Sequence, residues 1–174
     1  MHTGIRLIAT AIVLGFPAAA MAQAKDSGLP RAAIEDAFKK AECTVALEDA
    51  TAKPDSYDLG DGQRLFIVSC WQAAYQAGSL VFVTDRAGQA RLMTFKDWDG
   101  KKFAPVQSLS ETDFDPDKKT ISMFYKGRGI GDCGSMATWS WSGTDFKLQS
   151  YFFKKKCDGH SFAGQRRWQI FPRR

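Results

Sequence analysis

Residues 126–134, Lys-Gly-Arg-Gly-Ile-Gly-Asp-Cys-Gly, gather two cations, a carboxylate and a thiol on a backbone with four glycines. Gly129-x-Gly131-x-x-Gly134 has the spacing of a dinucleotide-binding loop, in which glycines let the backbone approach a pyrophosphate at the start of a helix. The following residues, Ala137-Thr138-Trp139-Ser140-Trp141, have strand character instead. No helix N-terminus is expected to receive phosphates, so a nucleotide is not expected. The glycines suit a tight turn around a disulfide, with Lys126, Arg128 and Asp132 pointing outwards.

Other chemistries find weaker footing. Gly-x-Ser-x-Gly and Ser-x-x-Lys are absent, and Cys157 near His160 is read as oxidised rather than nucleophilic. Beyond residue 22, His160 is the single histidine, and there is no Cys-x-x-Cys, so neither a two-histidine mechanism nor a zinc site is expected. Asp113-x-Asp115-x-Asp117 begins like a calcium loop, but Lys118 stands at the glycine position and Phe124 at the bidentate glutamate position, which makes it a turn. Glu111, Asp132 and Asp158 could converge as a carboxylate pair for glycoside hydrolysis. Trp71, Trp98, Trp139, Trp141 and Trp168 could stack on sugars, although in a small β domain such rings are read as core. The candidate binding residues are therefore Lys126, Arg128, Asp132, Asp158 and Trp168, with no cofactor and no metal.

These residues need a scaffold, and the patterning predicts a mostly β, α+β domain. Pro30 suits a first helical position, and Ile34, Ala37, Phe38 and Ala41 form an apolar stripe opposite Glu35, Asp36, Lys39 and Lys40. One amphipathic helix ending near Cys43 is expected. Short β-prone runs follow at about 64–71, 79–84, 90–96, 103–108, 119–125, 136–142, 145–153 and 166–171, separated by turns such as Asp61-Gly62, Asp99-Gly100 and Ser142-Gly143. Trp98-x-Gly100-x-x-Phe103 and Trp141-x-Gly143-x-x-Phe146 repeat one hairpin signature, a turn glycine between two rings that pack on one face. The expected architecture is an antiparallel meander, as a sheet or sandwich, with one N-terminal helix.

Four cysteines, Cys43, Cys70, Cys133 and Cys157, allow three pairings. Cys43 with Cys70 and Cys133 with Cys157 is the favoured set, because each bridge would join stretches close enough in the chain to be neighbouring strands. Each would stabilise the fold by about 3 kcal/mol.

Arg6, the apolar run over residues 7–16 and the ending Ala20-Met21-Ala22 have the order of a cleavable secretory signal. The expected organisation is a signal at 1–22, a polar leader at 23–29 and a single disulfide-braced domain at 30–174. No transmembrane segment is expected after cleavage. The chain carries a formal +5, and loss of the signal removes one positive charge. From Lys147 onward eight Lys or Arg face Asp158 alone. Such an end fits either an anionic envelope partner or a charged edge that resists aggregation. Nucleic acid is not expected, since no reader motif is present.

The stretches Cys70-Trp71-Gln72-Ala73-Ala74-Tyr75-Gln76-Ala77-Gly78, 126–134, Trp139-x-Trp141-x-Gly143-x-x-Phe146-x-Leu148, Cys157-Asp158-Gly159 and Trp168 resemble the bacterial DUF1176 family of exported proteins. The resemblance spans about residues 43–172 and looks like the C-terminal portion of longer members. It implies a periplasmic or secreted location in a Gram-negative-type envelope and carries no established activity or functional residue. The leading expectation is a non-enzymatic module that binds an anionic envelope component or a periplasmic protein. A small envelope glycan hydrolase using paired carboxylates is the alternative, followed by an inhibitor of lysozyme, which basicity disfavours against a cationic enzyme.

Overall fold

The computed structural model describes residues 28–162 and 165–172, so the expected signal and nearly all of the leader lie outside the described residues. The stripe read from the sequence forms α1 (Arg31–Lys40), burying Ile34, Ala37 and Phe38. Pro30 is the N-cap rather than the first helical residue. The solvent face carries the i,i+4 pairs Arg31–Glu35 at 2.8 Å and Lys40–Asp36 at 2.7 Å. A second helix, α2 (Leu47–Ala52), corrects the expectation of one. It buries Ala50 alone and is too short to show a period.

The strands build two five-stranded antiparallel sheets. The first contains β1 (Asp55–Gly60), β2 (Gln63–Gln72), β3 (Ala77–Thr84) and β4 (Ala90–Leu92) in chain order. A separate hairpin, β5 (Phe95–Trp98) with β6 (Phe103–Val106), leads to β7 (Ser108–Ser110), which returns to pair with β3. The second sheet runs β12 (Gln169–Phe171), β11 (Phe146–Lys154), β10 (Gly134–Trp141), β9 (Thr120–Lys126), β8 (Asp113–Asp115). The run expected at 166–171 is strand only in its second half, because Arg166–Trp168 is a 3-10 turn. The calcium-like stretch is β8 and the turn that follows it, where Asp115 accepts the Lys118 amide at 3.0 Å.

Side-chain alternation along β2 and β3 divides the interior. Leu65, Ile67, Val81 and Val83 share one core with Ile121, Trp139 and Tyr151 of the second sheet. Phe66, Val68, Leu80 and Phe82 share the other with the helices. Burial on both faces explains why β2 and β3 read as continuous apolar runs. Cys43–Cys70 staples the helical layer to β2, with a Cα separation of 4.6 Å, and Cys133–Cys157 joins the start of β10 to the segment after β11 at 4.8 Å. Among the described residues, no helix is long and apolar enough to cross a membrane.

The repeated aromatic signature corresponds to two hairpins. Trp98 pairs with Phe103 across β5–β6 with ring centroids 5.2 Å apart, and Trp141 pairs with Phe146 across β10–β11 at 5.0 Å. Gly143 turns the second hairpin at φ 92° with open space around it. Gly134 is different: at φ 128° a Cβ would sit 1.9 Å from the Tyr125 carbonyl oxygen in the adjoining strand. Gly134→Ala is expected to cost about 3 kcal/mol or more through a backbone clash. Gly143→Ala should cost about 1–2 kcal/mol through its positive φ alone. Denaturant unfolding of the oxidised variants checks the ranking, and equal losses would contradict it.

Candidate functional site

The glycine-rich stretch is the loop between β9 and β10. Gly127 closes it by donating to the Cys133 carbonyl at 2.9 Å, and Gly131 donates to the Arg128 carbonyl at the same distance. The chain then enters β10, not a helix, so the phosphate-cradling geometry is missing.

Asp132 does not point outwards as expected; it is 3% exposed. Arg128 grips it with two parallel bonds, Nε to Oδ1 at 2.7 Å and Nη2 to Oδ2 at 2.6 Å. The Gly159 amide donates to the same Oδ2 at 2.6 Å. The guanidinium, aided by this amide, holds the Asp132 carboxyl far below the usual carboxylate range, and Asp132 in turn raises Arg128. Burial had no signature in the sequence, because the acceptor's second partner lies 27 positions away.

Asp158 meets a second hidden charge. Lys154 is 1% exposed, donates from Nζ to Asp158 Oδ1 and to the His160 carbonyl at 2.7 Å, and lies 5.6 Å from the Trp168 ring centroid. The Lys154 ammonium, then the His160 amide, hold Asp158 below its ordinary value. Arg167 lies 5.2 Å from the same Trp168 ring. Lys154 was missed as a site residue, and its signal was slight: one lysine directly after Phe152-Phe153, four positions before an aspartate. Phe162, fully buried, lies 6.0 Å from Phe124 in the same layer.

Lys126 belongs to a neighbouring cluster. Its Nζ donates to the Tyr75 carbonyl at 2.9 Å and to Glu111 Oε2 at 3.2 Å, and its amide donates to Gln76 Oε1 at 3.0 Å. Glu111 also accepts the Ala77 amide at 2.7 Å, which with Lys126 lowers its pKa. Glu111, Asp132 and Asp158 are thus all held in the ionised form. Glycoside hydrolysis requires one carboxyl raised enough to donate a proton near neutrality, so this set is unsuited to it. Asp132, Cys133 and Cys157 bring ligand atoms within 4.8 Å of one another, but the two sulfurs are bonded together and offer no thiolate to a metal.

What faces solvent here is apolar and cationic. Tyr75, Tyr125 and Ile130 are 70%, 46% and 71% exposed. Tyr75 and Tyr125 line a cleft of about 270 Å³ with Gln76, Lys126, Gly127 and Gly129. Gly129 is small enough to lie against the Tyr75 ring, where a Cβ would come within 3.0 Å. Lys155, Lys156, Arg166 and Arg167 are exposed and form no ion pair among the described residues.

A β fold braced by two disulfides, with a Gly-x-Gly-Asp-Cys-Gly hairpin tied to the segment after β11, is the class of protein that these elements define. The family model described as "Protein of unknown function (DUF1176)" matches residues 9–172, and the chain belongs to that family. The match begins well before the expected residue 43. The chain is also similar to the uncharacterised protein YpfG of Escherichia coli (strain K12), at 28% identity over 104 residues, which are 58% of this chain and 30% of that protein. The chain thus matches less than a third of that relative's length. No solved structure matches it.

The lowered pKa of Asp132 fixes a pH dependence. Its stabilisation is complete above the unfolded value of about 4 and is lost as pH falls towards the folded one. Asp132→Asn is expected to lower the thermal midpoint by about 5 °C at pH 7. The gap from the unmodified protein should narrow steadily below pH 4. Equal midpoints at pH 7 would contradict this account.

Proposed function

We propose that the chain is an exported, non-enzymatic binding module that docks on an anionic component of the cell envelope. The observation that carries this reading is the exposure of Tyr75, Tyr125 and Ile130, the large hydrophobic residues exposed among those described. Tyr75 and Tyr125 line one cleft, and Ile130 lies in the β9–β10 loop whose Gly127 and Gly129 border it. Exposed apolar side chains gathered in one place mark contact surfaces more often than chance exposure does. Unpaired cations supply the charge. Lys155 and Lys156 precede Cys157, whose bond to Cys133 ties them to the glycine loop. The Arg128–Asp132 ion pair holds the loop's shape, while Ile130 is left free for a partner.

Export is supported by the N-terminal charge, apolar and small-residue order and by the absence of any free cysteine among the described residues. Protein recovered from a bacterial periplasm is expected to begin at Gln23 and to show no titratable thiol. Intact mass and thiol titration check both, and a retained N-terminus would sink the export part of the proposal.

Docking is tested by co-sedimentation with vesicles containing phosphatidylglycerol and with purified peptidoglycan sacculi, at low and high salt. Salt-sensitive retention on at least one is expected. Ile130→Ser combined with Tyr75→Ser should weaken it at least fivefold without changing the thermal midpoint, and Lys155→Glu with Lys156→Glu should weaken it further. Retention on neither material, or retention that survives both pairs of substitutions, overturns the reading.

A further inference from the structure

Away from the glycine loop, a cavity of about 440 Å³ lies where the β5–β6 hairpin meets β10, β11 and β12. Its size falls in the range of small-ligand pockets. Phe103, Trp139, Phe146, Leu148 and Phe171 contribute apolar walls. A bulge lies beside the opening: Thr138 faces Ser150 while Trp139 faces Leu148, so Gln149 is an extra residue in β11 next to two of the walls. Such bulges locally bend a strand and re-aim its side chains, and they recur next to binding sites. Trp139 is fully buried, and its indole N–H has no acceptor among the described residues. An unmet donor therefore sits in one of the rings that wall the cavity.

The polar lining has one sign of charge to spare. Asp145 is engaged by Arg91 at 2.9 Å. Lys96 and Lys147 also line the cavity, are exposed, and have no carboxylate partner among the described residues. Lys126 and Lys154, by contrast, are occupied by Glu111 and Asp158. Apolar walls with two unneutralised ammonium groups complement a molecule with an apolar body and one anionic end.

From this we infer that the cavity between the β5–β6 hairpin and the second sheet binds a small amphipathic carboxylate, its chain against the aromatic walls and its carboxylate on Lys96 and Lys147. The inference is independent of the docking surface at the glycine loop.

Decanoate and decanol are the probes, titrated into the oxidised full chain by calorimetry while the tryptophan indole ¹⁵N–¹H signals are followed. Decanoate should bind saturably below about 1 mM, shift the Trp139 indole signal, and bind at least tenfold more tightly than decanol. Lys96→Gln with Lys147→Gln should weaken decanoate about tenfold and leave decanol unchanged. Ile130→Ser should leave both unchanged. Leu148→Trp, placed to fill the space, should abolish binding in a protein whose remaining indole signals stay native. Absence of saturable decanoate binding to the unmodified chain overturns the inference, as does undiminished decanoate binding by the lysine variant or by a folded Leu148→Trp protein.

Discussion

Water solvates a carboxylate so strongly that burying one is tolerable only where fixed donors take over, and the β9–β10 loop is arranged around meeting that condition at Asp132. Two donors come from Arg128 within the loop, and the third is the Gly159 amide from the segment after β11. The loop therefore cannot hold its shape independently of that segment. Because Asp132 and Cys133 are adjacent, the same contact sets the approach of Cys157 to its disulfide partner. The glycines follow from the tightness required, most sharply at Gly134, where the strand behind leaves no space for a side chain.

Lys154 repeats the condition with the opposite sign. Its ammonium lies under residues 157–162 and is satisfied by Asp158, the His160 carbonyl and the face of Trp168. A buried pair of this kind contributes little net stability compared with apolar residues of similar volume, yet removing one partner is severe. Such a pair is better at specifying an arrangement than at strengthening it. Phe162 packing near Phe124 supplies the apolar contact that the pair alone does not, while residues 157–161 are exposed.

Much of this was legible in residue order because it rests on local chemistry. Helix α1 shows a period, both Trp-x-Gly-x-x-Phe hairpins combine a turn residue with paired rings, and each disulfide spans a short separation. What was not legible depends on distant partners or on very short elements. Helix α2 has six residues, and β1 is an edge strand with Leu59 as its single buried side chain, so neither completes a recognisable pattern. Type and spacing alone single out five candidate binding residues. Asp132, Asp158 and Lys126 are committed to internal partners: only the tertiary structure brings Gly159 to Asp132 and Glu111 to Lys126, whereas Lys154 stands four positions before Asp158 and only its burial is hidden in the sequence. Ile130 carried no chemical motif, and its exposure becomes meaningful only against the many large apolar side chains that the fold buries.

The two disulfides differ in how they meet the surroundings. Cys70 is fully buried and Cys43 partly covered by the helical layer, whereas Cys157 is exposed. An incoming thiolate must reach a sulfur along the bond axis, so attack begins at Cys157 and expels the sulfur of Cys133. Chemical reduction is consequently ordered in space: the brace across the second sheet opens before the staple under the helices, and a half-reduced molecule keeps its helical layer fastened while losing the covalent tether between the glycine loop and the segment that follows β11.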